Sequence, residues 1–142
     1  MLAVQLKMAV ARRAPVVVHT PRGDKARVLG ELLPVLEKSG IDPATVVIDH
    51  LTVELVGMVR ERGFNAGLTV QPGKMAPEGV LAVVQAHGFE GVLVDSDAAH
   101  VAADVLAVPR VARCLELAGI SAAEIARVTG GNAARLFRLE RF

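Results

Sequence analysis

Val46-Val47-Ile48-Asp49-His50 is the stretch whose reading settles the architecture. Three β-branched residues run together without polar alternation, which marks a strand buried on both faces, as in a parallel sheet. The run then stops in two polar residues. Working outward, the same plan recurs upstream in Pro15-Val16-Val17-Val18-His19 and downstream in Gly67-Leu68-Thr69-Val70-Gln71 and Val92-Leu93-Val94-Asp95-Ser96-Asp97. Helical patterns separate the four runs. Parallel strands joined by helices place all their C-terminal ends on one rim. That rim would gather two histidines and an aspartate pair, which are ligand types for a divalent metal.

The spacing predicts strands near residues 15–19, 45–50, 66–70 and 91–95. A first helix is expected from Leu2 to Arg13 and a second from Asp24 to Ser39, bent at Pro34 and stopped by Gly40. Asp24 is read as the cap of that second helix. Further helices are expected near 53–62, 77–87 and 108–118. Ser121 and Glu124 form a capping box for the next one, and Asn132 to Phe137 makes a final turn. Gly63-Phe64-Asn65-Ala66-Gly67-Leu68 and Gly88-Phe89-Glu90-Gly91-Val92 share one plan, a repeat of about 25 residues, as successive strand–helix units require.

At 142 residues the chain is read as a single domain, 1–142, large enough for a real core. Apolar residues make up 52% of it and aromatic ones 3%, which leaves no stacking platform for single-stranded nucleic acid. A net charge of +1 gives no electrostatic pull toward nucleic acid or membrane. No run reaches the about 18 apolar residues of a membrane span. Arg12 and Arg13 follow the first apolar stretch rather than precede it, which is the reverse of a signal peptide. One cysteine, Cys114, excludes an internal disulfide and is read as an inert thiol on a helix face; a reducing, cytoplasmic setting is expected.

His19 and His50 each end a strand, as do Asp95 and Asp97. Equivalent positions on a shared rim distinguish them from isolated loop histidines that merely meet water. Arg22 and Lys74 follow the first and third strands on the same rim and are candidate phosphate contacts. His100 is a spare ligand or proton carrier in the loop that also carries Asp104. His87 sits at a helix end, where it suits the dipole. Gly73 and Gly130-Gly131 lack the following Lys-Ser/Thr of a phosphate loop.

With these residues in order, the chain resembles the C-terminal half of the TatD-type metal-dependent hydrolases of the amidohydrolase superfamily. Gln5-Leu6-Lys7-Met8-Ala9 resembles the helix before that family's fifth strand, and Val16-Val17-Val18-His19-Thr20-Pro21-Arg22 resembles the fifth strand with its metal histidine. Asp49-His50 is similar to the sixth-strand histidine, and Asp95-Ser96-Asp97 to the eighth-strand Glu-Thr-Asp. Asn132-Ala133-Ala134-Arg135-Leu136-Phe137 is similar to the family's closing Asn-Ala-x-x-Leu-Phe. The first-strand His-x-His and the fourth-strand acid have no counterpart here.

The resemblance implies an α/β fold: a parallel four-stranded half of a TIM-type (β/α)8 barrel, order 1-2-3-4, with helices on one face. It implies His19, His50 and Asp97 as metal ligands, Asp97 also orienting the attacking water, and a divalent cofactor, Zn, Mn or Mg. The implied activity is phosphodiester hydrolysis, weak or absent in half a barrel. Completion is expected through a homodimer or a separate N-terminal half. Two other readings are a non-catalytic oligomerising subunit and an open-sheet module that binds a small anion or nucleotide without metal.

Overall fold

The computed structural model describes residues 1–98 and 103–139. The strands are β1 (Val16–His19), β2 (Val46–Asp49), β3 (Asn65–Thr69) and β4 (Val92–Asp95). All pair in parallel, in the order β1-β2-β3-β4. Around them run α1 (Leu2–Arg12), α2 (Lys25–Lys38), α3 (Val56–Arg60), α4 (Pro77–His87), α5 (Ala107–Leu117), α6 (Ala122–Ala126) and α7 (Asn132–Leu136). A π-helical turn, Arg127–Gly131, joins the last two. The helix expected over 53–62 is instead a 3₁₀ turn, Val53–Leu55, followed by the short α3.

Side chains alternate across a strand, so each strand has two sets. One set, Val46, Ile48, Ala66, Leu68 and Val92, forms a single buried cluster with Leu6, Leu29, Leu33, Leu36, Val56, Val59, Val80, Val83, Val111 and Leu115 of the helices. The other set carries His19, Asp49, Gly67, Thr69 and Asp95; its apolar members Val47 and Leu93 stand outside that cluster. The helices therefore cover one face of the sheet, and the second face is left to polar groups and β-branched residues such as Val17, 41% exposed. Each fully buried Leu of the covered face contributes on the order of 2–3 kcal/mol by leaving water.

The base of the sheet is fastened by two buried asparagines. Asn65 donates from Nδ2 to the carbonyls of Ala44 (2.8 Å) and Val46 (3.0 Å). Asn132 does the same to Phe89 and Val92, both at 2.7 Å, and so ties the last helix to the start of β4. The capping box forms: Ser121 Oγ accepts from the Glu124 N–H, and Glu124 accepts from the Ser121 N–H.

One cap does not form. Asp24 occupies the N-cap position but has φ 53° and gives α2 no side-chain cap; its carboxylate is taken by Arg27. The left-handed backbone turns the Asp24 side chain away from the helix N–H groups it was expected to meet. No helix among the described residues is long and apolar enough to cross a membrane.

Candidate metal centre

Parallel pairing sets His19 directly beside Asp49. Both occupy the uncovered side-chain set, and His50 follows Asp49 at once. A histidine following an inward strand residue would normally point to the other face. Here His50 adopts φ 60°, a left-handed conformation rare outside glycine. The Asp49 carboxylate accepts from the His50 N–H at 2.7 Å, and Lys25 Nζ bonds the His50 carbonyl, so both ends of the strained peptide are held. Lys25 also donates to Thr20 Oγ1 (3.1 Å), which in turn donates to the Asp49 carbonyl (2.8 Å). The first turn of α2 thus binds the ends of β1 and β2 together.

The left-handed turn returns the His50 ring to the rim. His19 Nδ1 stands 3.1 Å from His50 Nε2 and 3.0 Å from Asp49 Oδ2. One ligand atom from each of His19, Asp49 and His50 falls in a group no wider than 4.8 Å. Donors about 2.1 Å from a tetrahedral ion stand roughly 3.4 Å apart, so two imidazoles and a carboxylate at this spacing fit a first-row divalent cation. His50 Nδ1 lies 2.7 Å from Thr69 Oγ1, which fixes the ring and leaves Nε2 turned toward His19. Burial first, then the charges of Lys74 and His19, lowers the His50 pKa against the opposing pull of Asp49 and Asp97. A neutral imidazole is the form a metal requires.

Space for Asp49 comes from Gly67, its neighbour on β3. A Cβ at position 67 would sit 2.7 Å from Asp49 Oδ1 and 3.0 Å from Asp49 Cα. Thr69 links the two halves of the rim, 3.4 Å from Asp49 Oδ1 and 3.2 Å from Asp95 Oδ2. Burial, with the neighbouring Asp49 charge, raises the Asp95 carboxyl to about 6. Asp95 Oδ1 accepts from the Asp97 N–H at 3.0 Å and so shapes the left-handed turn at Asp97, φ 48°.

Asp97 lies outside the ligand group formed by the two histidines. Its Oδ2 is 2.8 Å from Lys74 Nζ, and Lys74 is also 3.4 Å from His50 Nδ1. A cavity of about 490 Å³ opens on the rim, lined by His19, His50, Lys25, Lys74, Arg22 and Asp97 among others. Every rim residue expected from the sequence therefore faces one space, except Asp95, which is held beneath it, and His100, which lies outside the described residues. Asp104 pairs with Arg110 at 3.1 Å, away from this cavity. His87 is at the end of α4 beside Gly57, with no part in the rim. Cys114 rides on α5, partly buried, with its thiol pKa pushed up by burial.

Sequence reasoning missed Asp49, Lys25, Thr69 and Gly67. Asp49 shares the parity of His19, but only the pairing of β1 with β2 sets the two side by side.

Known proteins are similar to this sequence and share this parallel layer over about half of their length. An uncharacterized metal-dependent hydrolase of Methanocaldococcus jannaschii is 31% identical over 140 residues, which is 98% of this chain and 55% of that protein. A TatD-like protein of Archaeoglobus fulgidus matches with a TM-score of 0.73 at 30% identity, over 97% of this chain and 53% of that one. A β-aspartyl dipeptidase of Fervidobacterium islandicum gives a TM-score of 0.73 at 21% identity, over 88% of this chain and 39% of that one, a likeness of fold alone. No family model matches. The chain is similar along nearly its whole length to TatD-like and other metal-dependent hydrolases, and it spans about half the length of the relatives it matches.

Proposed function

We propose that the chain is the metal-binding half of a hydrolase that acts on phosphodiester bonds, and that alone it turns over weakly or not at all. The observation that carries the reading is the convergence of His19, Asp49 and His50 on one point of the rim. These three would hold the ion, with zinc, manganese and magnesium as the candidates. A divalent ion there supplies Lewis-acid polarisation of the scissile group and lowers the pKa of water.

The protein's own residues do the rest. Lys25 and Lys74 face the same cavity as the ligands, and Arg22 lines it at the edge. Such a cationic wall suits an anionic phosphoryl group better than a neutral amide. Burial, followed by the charge of Lys74, lowers the Lys25 pKa against the opposing pull of Asp49. Asp97 orients the attacking water once substrate draws Lys74 away from it.

The family's first-strand ligands have no counterpart here, so one ion is expected rather than two, with no clamp on both attacking and leaving oxygens. A partner would complete the site. Among the described residues, no strand neighbours the outer edges of β1 and β4 in the sheet. Val4 and Met8 of α1, with Met1 just before it, expose apolar side chains. A second copy of the chain, or a separate N-terminal half, would cover both. A clean monomer in light scattering at micromolar concentration would refute the homodimer.

Metal-dependent cleavage of bis(4-nitrophenyl) phosphate, beside an Asp97→Asn control, tests the activity. Slow turnover at best is expected. Robust turnover that vanishes in Asp97→Asn would make the half-barrel a complete enzyme and overturn the inactivity. The Lys74–Asp97 pair favours one second reading, a non-catalytic subunit whose rim binds metal alone. It requires zinc binding without any phosphate-ester affinity.

A further inference from the structure

Among the described residues, three Lys or Arg side chains line the rim cavity, and they are held differently. Lys25 is committed to the fold, donating to Thr20 Oγ1 and to the His50 carbonyl. Arg22 lies exposed on the loop after β1. Lys74 reaches the cavity from a fixed base. Gln71-Pro72-Gly73-Lys74 is a tight turn, in which the Lys74 N–H donates to the Gln71 carbonyl at 3.1 Å and Gly73 has φ 80°. Proline second and a left-handed glycine third are the residues a type II turn demands. Met75 then bridges back to Val70, just past the end of β3.

The Lys74 ammonium stands against groups of the metal-ligand type. Its Nζ is 2.8 Å from Asp97 Oδ2 and 3.4 Å from His50 Nδ1. His50 thus turns one ring nitrogen toward His19 and the other toward Lys74. Asp97 is presented by its own turn, fixed by the Asp95 carboxylate. With side chains 17% and 31% exposed, this is the most withdrawn pairing of a Lys or Arg with an acid among the described residues; Arg62 and Glu37, by contrast, are 41% and 46% exposed. A pair drawn back in this way is screened less than a surface pair, yet both side chains still line the cavity.

We propose that Lys74 takes the place of a second metal ion. The proposal rests on the function proposed above and assigns the second positive centre of that site. In a two-ion hydrolase the cations sit side by side and share the charge of the reacting group. Here His19, Asp49 and His50 would hold one ion, and the ammonium supplies a neighbouring charge on the other side of the His50 ring. It has three N–H donors, so it passes from the Asp97 carboxylate to a phosphoryl oxygen without being left unpaired. Its charge also occupies Asp97 and repels a further cation. An ammonium cannot lower the pKa of water as a metal ion does, so the exchange keeps recognition of the anion and gives up catalytic power.

Zinc competition against a chelator, with calorimetric titration of phenyl phosphate into the zinc-loaded chain, tests this. Lys74→Met should tighten zinc about tenfold, because a like charge leaves and Asp97 is released toward the ion, and should weaken phenyl phosphate about tenfold. Adding Asp97→Asn to that variant should cancel the zinc gain, a coupling of about tenfold between the two positions. Lys74→Arg keeps the charge on Asp97 and should leave zinc within about threefold of wild type.

A zinc gain that survives Asp97→Asn would reduce Lys74 to a repelling charge and overturn the proposal. Unchanged zinc affinity or unchanged phenyl phosphate affinity in Lys74→Met would overturn it as well. Each of these results leaves the metal site standing. Failure of phenyl phosphate to bind the zinc-loaded wild type at all would overturn the functional reading, and the role of Lys74 with it.

Discussion

The two halves of the rim have similar residues and opposite states. On the β1–β2 side, two imidazoles and a carboxylate lie within 4.8 Å of one another and turn their ligand atoms inward. On the β3–β4 side, the acids are already spoken for: Asp95 is raised to about 6 by burial, and Asp97 is bound to Lys74. Acidic residues at strand ends can thus be engaged by the protein's own cations before any ion arrives. What decides is whether the negative charge meets a cation of the protein or is left facing other donors. Asp49 is left that way because its strand partner is His19 and its other neighbour is the side-chain-free Gly67.

The sharpest break of this comparison is a zinc competition titration against a chromophoric chelator. His50→Ala and Asp49→Asn should each weaken zinc binding more than about 100-fold, and Asp97→Asn less than about threefold. Equal losses at Asp49 and Asp97 would mean that the two halves of the rim share the ion.

Changes behind the ligands should cost less. Thr69→Val removes the hydroxyl beside His50 Nδ1 and should weaken zinc about tenfold, with the fold retained. Gly67→Ala pushes a methyl against Asp49 and should lower stability by about 1–3 kcal/mol in denaturant titration, with a parallel loss of zinc affinity. Unchanged affinity in Gly67→Ala would show that the Asp49 position is not what fixes the site.

The smallest effect belongs to Asp95. Its folded pKa, about 6, lies above the ordinary value of 3.8, so ionisation opposes folding. The cost is absent below the lower value, grows as pH rises between the two, and is complete above the higher one. In metal-free protein, Asp95→Asn should therefore be more stable than wild type at pH 8, by on the order of 1–2 kcal/mol after solvent screening. The difference should disappear near the bottom of that window. A gain that is the same at both ends would place its origin outside the carboxyl.

The sheet was legible because its signal is local. Runs such as Val46-Val47-Ile48 admit little but a buried parallel strand, and four of them at regular spacing fix order and direction together. His19 and His50 were legible as strand ends. Asp49 was not, because its role depends on register: only pairing Val16 with Val46 sets it opposite His19. Lys25 reads as an ordinary first residue of a helix, and its bond to the His50 carbonyl crosses 25 residues of sequence. Asp24 failed as a cap for a related reason. Its left-handed backbone is set by the chain's turn off the rim, against the local preference that Asp before a helix expresses.

The left-handed backbone at His50 has an evolutionary consequence. A non-glycine residue there costs roughly 1 kcal/mol, and Asn or Gly would relieve it. A histidine codon becomes an asparagine codon by one base change. Position 50 is thus downhill for drift: a chain released from selection on its rim would gain stability from the first such change it met. The histidine that stands there is held at both ends of its peptide, by Asp49 and by Lys25.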